Sequence, residues 1–177
     1  MKINSEIMII CLFMAHFARA EEKLFETVTD ESYLKLEFLP LCSTEGQVIF
    51  QITNTSGQLL LIDPAFADPI SYDAHSAGVS LSHVTESTDY FDPKIRGKAK
   101  LKSQYDWYPL GVGEIIQHKI DFRDYTTDTI DQTLQYMPTF NGMPIRMITS
   151  LESKKVTMFK SVIDVTLNDQ FGPDCWK

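Results

Sequence analysis

The chain has 177 residues, 44% of them apolar and 23% charged, with 8 Gly, 8 Pro and 3 Cys. That composition excludes disordered, collagen-like and cysteine-dense classes, and the length fits a single domain. A formal charge of −8 argues against nucleic acid as a partner, because phosphate-backbone binding needs clustered basic surface to release counterions.

Residues 1–20 read as a secretory signal. Lys2 gives a positive start, Ile7 to Ala15 is a run of nine apolar residues, and Ala18-Arg19-Ala20 supplies the small-x-small pattern before a cleavage point. The run is too short to span a bilayer, which takes roughly 20 apolar residues, and no later segment reaches that length. The expectation is an exported protein, periplasmic or secreted, with no membrane span and with one β-sandwich domain over residues 21–177. Cleavage removes Cys11. The two remaining cysteines, Cys42 and Cys175, are expected to form a disulfide that ties the start of the domain to its end.

The body of the chain alternates with period two, the signature of half-buried strands, and lacks convincing helical periodicity. Residues 21–31, rich in Glu and Asp, are expected to fray. Leu34, Leu36 and Phe38 then alternate with Lys35 and Glu37, and Val48, Phe50 and Ile52 alternate with Ile49, Gln51 and Thr53. Asn54-Thr55-Ser56-Gly57 turns the chain into Leu59–Ile62. Asn54-Thr55-Ser56 also fits a glycosylation acceptor, but reads better as turn chemistry. Pro64, Pro69 and Gly78 punctuate a loop before Val79, Leu81 and His83. Ile116, His118, Ile120 and Phe122 share one face. Leu134 and Tyr136 open a short strand, with a hairpin expected around Asn141-Gly142. Phe159, Ile163, Val165 and Leu167 close the series. Seven to nine short strands, each with one face to bury, predict an all-β, antiparallel, immunoglobulin-like β-sandwich.

Two stretches carry a family resemblance. Ile52-Thr-Asn-Thr-Ser-Gly57 with the Leu-rich run after it resembles the early hairpin of immunoglobulin-like accessory domains. Pro109-Leu-Gly-Val-Gly-Glu114, followed by Ile120-Asp-Phe-Arg-Asp-Tyr125, is similar to the turn, strand and tyrosine of the same group. The nearest family is the amino-terminal β-sandwich of deuterolysin-type metallopeptidases, with small secreted proteinase inhibitors also in view. The chain has no H-E-x-x-H, so the zinc chemistry of such peptidases does not carry over. The resemblance implies a fold and an accessory or inhibitory mode of action.

Motifs for turnover are sparse. No serine sits in G-x-S-x-G, and Asp121, Asp124, Asp128 and Asp131 read as solvated loop residues in an acidic protein. His83 and His118 fall in phase with apolar neighbours, as core or rim histidines do. A metal-binding alternative would join His83 or His118 to Met137, Met143 and Met147, a donor set suited to copper. An enzyme would need a cleft in which His83 or His118 meets a carboxylate and a hydroxyl. The most unusual pattern is Lys94-Ile-Arg96-Gly-Lys98-Ala-Lys100-Leu-Lys102, five cations at every second residue. On an extended strand they would project from one face, as a guarded sheet edge or a docking stripe. Tyr105, Trp107 and Tyr108 follow, residue types that dominate binding hot spots. The predicted function is therefore a non-catalytic protein-binding module, without cofactor. Its partner, an acidic one by charge matching, would meet Lys94, Arg96, Lys98, Lys100, Lys102, Tyr105, Trp107 and Tyr108. An inhibitor or immunity-type protein and an accessory subunit both fit. A small exported hydrolase is the remaining alternative.

Overall fold

The computed structural model describes residues 25–28, 33–84, 92–97, 106–126, 128–140, 143–149, 156–159 and 170–176. The signal read in residues 1–20 lies outside them, as do Lys98, Lys100, Lys102 and Tyr105. Ten strands occur among the described residues: β1 (Phe25–Val28), β2 (Leu34–Ser43), β3 (Gly46–Asn54), β4 (Leu60–Ile62), β5 (Val79–His83), β6 (Tyr108–Leu110), β7 (Ile115–Ile120), β8 (Tyr136–Phe140), β9 (Ile145–Ile148) and β10 (Val156–Phe159). A single turn of helix, α1 (Pro64–Ala67), is opened by Asp63, whose side chain accepts from the Ala65 amide. Among the described residues no helix is long and apolar enough to cross a membrane.

The strands form a five-stranded sheet in the order β1-β10-β9-β4-β6, a three-stranded sheet β2-β3-β7 and a two-stranded sheet β5-β8. The fold is an all-β sandwich, antiparallel at every pairing except β1 with β10, which is parallel. Phe25–Val28 thus joins a sheet where fraying was expected. The chain's acidic start hid a pairing with a strand 131 positions further on, Phe25 opposite Val156.

The alternation read in the sequence sets the three-stranded sheet. Phe38 lies opposite Phe50 and Phe50 opposite His118; Leu36 and Ile116 flank Ile52 in the same way. All six are buried on one face. Phe50 meets Phe38 at 5.5 Å between ring centroids and reaches across to Phe140 of β8 at 5.9 Å. That contact joins two sheets through one core, and burying a phenylalanine of this kind contributes about 1.5–3 kcal/mol. Gly46, with φ +144°, begins β3 where a Cβ would collide with the Ile120 carbonyl, so the close approach of β7 requires glycine there.

The hairpin expected around Asn141-Gly142 does not join β8 to β9. Those two residues lie outside the described set, but β8 pairs with β5 while β9 pairs with β10 and β4. Both strands have a buried face, and each buries it within a different sheet. β8 and β9 therefore do not form a hairpin with each other.

The expected disulfide is present. Cys42, near the end of β2, and Cys175 lie 4.1 Å apart at Cα and close a span of 133 residues. Cys175 sits in a 3-10 turn, Pro173–Trp176, that packs Cys175 and Trp176 into the core. Joining the two ends of so long a loop removes conformational freedom from the unfolded chain, a stabilisation of up to about 4–5 kcal/mol in the entropic account.

Candidate functional site

A cleft of about 530 Å³ opens between the end of β5, the segment 92–97 and the segment leading into β8; its walls are His83, Asp92, Pro93, Lys94, Asp128, Thr129, Asp131, Leu134 and Tyr136. Strand β5 pairs with β8 so that His83 lies opposite Tyr136. Their rings meet at 4.7 Å between centroids, which makes an aromatic floor.

The 92–97 segment is held by the Asp92 carboxylate and by its own backbone amides. Asp92 accepts from the His83 amide at 2.9 Å and from Ser82 Oγ at 3.2 Å. The Lys94 amide donates to Asp128 Oδ2 at 2.9 Å, Ile95 bridges to Thr126, and the Arg96 amide donates to the Tyr125 carbonyl at 2.6 Å. Ile95 packs toward the core while Lys94 and Arg96 are exposed. The alternation read from the sequence is therefore real over these three residues. Over the described residues 92–97 the segment makes a single bridge, Ile95 to Thr126, and the rest of the stripe lies outside the described residues.

Three carboxylates edge the cleft, with Lys94 among them. Asp131 is held below the usual carboxylate range by hydrogen bonds from the Thr133 hydroxyl and amide. Burial and the nearby Asp131 carboxylate push the Tyr136 phenol up, and that hydroxyl donates to the Asp131 carbonyl at 3.1 Å. His83 Nδ1 lies 3.7 Å from Asp92 Oδ1, beyond hydrogen-bond reach. Among the described residues no three or more His, Cys, Asp or Glu side chains are grouped to hold a metal ion. The arrangement can accept hydrogen bonds and positive charge at its rim, stack against an apolar surface at its floor, and offer Lys94 and Arg96 to an anion beside it.

The other residues singled out by sequence are dispersed. His118 belongs to the core: it is buried on β7, stacks on Tyr72 at 3.6 Å between centroids, and shares a 2.7 Å hydrogen bond with the Phe66 carbonyl. Met147 is fully buried in β9. Met137 lies on β8 opposite Ser82, and Met143 is exposed. Trp107 is half-buried; Tyr108 is half-buried too, and packs against the core from the start of β6, opposite Ile62. Asn54 is buried and its amide is spent on backbone carbonyls, so the apparent glycosylation acceptor is a turn clamp in the folded chain. Asp121 is no solvated loop residue. Burial works against its charge, yet hydrogen bonds from the Arg123 side chain and amide hold its carboxyl below the usual range.

Sequence reasoning did not find Asp92, Asp128 and Asp131 as one group. The chain is rich in acidic residues, and nothing local marks three that converge across 39 positions. No protein-family model, curated protein or solved structure matches the chain. Fold and cleft together define a disulfide-closed β-sandwich with an aromatic-floored, charge-rimmed cleft beside a fixed pair of cations.

Proposed function

We propose that this protein is an exported, non-catalytic binding module for a protein partner, acting in the periplasm or outside the cell as an inhibitor, an immunity-type protein or an accessory subunit. One observation carries the reading: Lys94, on the wall of the cleft, and Arg96, two residues further on, are exposed on a backbone anchored at consecutive residues. Fixing the backbone lowers the ordering cost of an interface. Cations next to a carboxylate rim give a partner both an anchor and an orientation. The disulfide suits an oxidising compartment, and the immunoglobulin-like form of the sandwich belongs to the same proposal.

Native mass spectrometry of the protein taken from the compartment to which its own cells export it would identify the partner. The double variant Lys94→Glu, Arg96→Glu should then associate about tenfold more slowly at low ionic strength, since reversing rim charges acts chiefly on the encounter rate. Unchanged association kinetics would remove this segment from the interface.

A second reading rests on the meeting of His83 with Asp92 in a cleft that Thr129 and Tyr136 also line, which is the setting a small hydrolase would need. It ranks below binding because the His83–Asp92 spacing would have to tighten for the carboxylate to orient the imidazole. Turnover of activated esters or peptides that is lost in His83→Gln would establish it.

A further inference from the structure

We propose that the Cys42–Cys175 disulfide is a redox clasp on the cleft, so that its reduction loosens the cleft's aromatic floor while the sandwich stays folded. The functional consequence, control of partner binding, rests on the binding reading above; the structural coupling does not.

The coupling runs through a short series of contacts. Trp176, next to the bridged Cys175, sets its ring edge on Tyr136 at 5.6 Å and on Phe171 at 5.3 Å. Phe171 and Tyr136 exchange two backbone hydrogen bonds of 2.9 Å, amide to carbonyl in each direction. Tyr136 in turn forms the cleft floor against His83. The C-terminal segment is therefore the backing of the floor, and the disulfide fastens it.

The other fastenings are non-covalent. Gln47 Nε2 donates to the Cys175 carbonyl at 3.4 Å, and an Arg123 guanidinium nitrogen donates to the Trp176 carbonyl at 3.2 Å. To these are added the backbone pair with Tyr136, the stack of Phe171 on Phe122 at 5.9 Å and the burial of Phe171, Cys175 and Trp176. Contacts of this kind can open locally while the rest of the fold persists once the cross-link is gone. The backbone at Cys42 favours release as well. Its φ of 46° places a non-glycine residue in the left-handed region, where the register of β2 shifts between Pro40 and Ser43. Such a conformation persists only while its surroundings enforce it.

The chemistry is thiol–disulfide exchange with a dithiol donor of the oxidoreductase class. Cys42 is exposed and Cys175 buried, so the incoming thiolate attacks Cys42 Sγ. The S–S bond breaks, and Cys175 leaves as a thiolate that takes a proton. The donor's second thiol then resolves the mixed disulfide, freeing Cys42. Two electrons pass from the dithiol, which ends as a disulfide, to the protein, which ends with two thiols.

Dithiothreitol on the full mature chain is the test, read by amide hydrogen exchange, by the His83 ring signals in NMR and by far-UV circular dichroism. Reduction should speed exchange at Tyr136 and Phe171, whose amides protect each other, by about tenfold or more. It should also shift the His83 signals and leave the strand spectrum in place. The double variant Cys42→Ser, Cys175→Ser should reproduce this state without reductant. Two results would overturn the clasp: unchanged exchange and His83 signals with both thiols alkylated, or loss of the strand spectrum, which would make the bridge a staple of the whole fold. No partner enters these readouts, so a clasp that works beside an unaltered Lys94→Glu, Arg96→Glu association would sink the binding reading alone.

Discussion

Replacing Asn54 with alanine should destabilise the protein by about 3 kcal/mol or more, among the larger effects a single side chain can have. Asn54 ends β3 and is almost fully buried. Its Nδ2 donates to the carbonyls of Gln58, Leu110 and Gly111 at 2.8–2.9 Å. Its Oδ1 accepts from the Ser56 amide at 2.9 Å and from the Ser56 hydroxyl at 2.7 Å. Leu110 ends β6 in the five-stranded sheet, whereas Asn54 belongs to the three-stranded one, so one amide fastens the two sheets at this end. Alanine would strand buried acceptors and donors together, each at about 1–3 kcal/mol unless water reaches it. Asn54→Asp is a sharper probe. It keeps the shape and the bonds from Ser56 but turns a charged oxygen toward three carbonyls, and should be at least as damaging at neutral pH. Urea unfolding at pH 7 checks both, read as a lower midpoint at constant slope. A loss under about 1 kcal/mol for alanine would mean that water takes over the clamp.

Asn54 also shows what the sequence discloses and what it withholds. Asn-Thr-Ser-Gly announces a turn because these side chains bond local backbone, and the turn is there. That the same amide reaches Leu110, 56 positions away, is a fact of sheet packing with no local trace. The strands divide in the same way. β2, β3 and β7 are legible because each buries alternate residues over six positions or more. β6 has only three residues, and β1 has four and pairs with a strand from the far end of the chain, so alternation has little to act on. The Asn141-Gly142 signal does not foretell the pairing of the strands on either side, since β8 and β9 belong to different sheets. The cleft was half visible. His83 and Lys94 drew notice for separate reasons, one for its phase on a strand and the other for its charge pattern. The Asp92 carboxylate on the His83 amide, and the bonds of the Lys94 and Arg96 amides to Asp128 and Tyr125, bring them together across distances in sequence that local patterns do not encode.

His118 provides the second large effect. Lowering the pH from 6.5 to 4 should remove about 3 kcal/mol of folding stability through this one residue, at 1.36 kcal/mol per unit of pKa shift. Burial drives its pKa down from 6.5 to about 4, against the opposing pull of the Phe66 carbonyl and the Asp68 carboxylate, both of which favour the charged ring. The neutral ring donates to that carbonyl from Nε2 and lies flat on Tyr72, in a setting where charging the ring carries a desolvation cost. In the unfolded chain His118 takes a proton near pH 6.5; in the folded protein it waits until about pH 4. Stability is therefore whole above 6.5, falls as the pH drops through that window, and stops falling from this cause below 4, where both states are protonated. Asp121 acts in the same direction but lower, because its folded pKa lies beneath 3.8. The two contributions thus occupy separate pH ranges. Urea unfolding at half-unit steps from pH 7 to 4 measures the slope. His118→Gln keeps a donor for Phe66 without a titrating ring, and should flatten the profile even though it loses the Tyr72 stack and starts from lower stability. A wild-type profile already flat between 6.5 and 4, or an equal slope in the glutamine variant, would show that the proton reaches His118 in the folded protein as readily as in the unfolded chain.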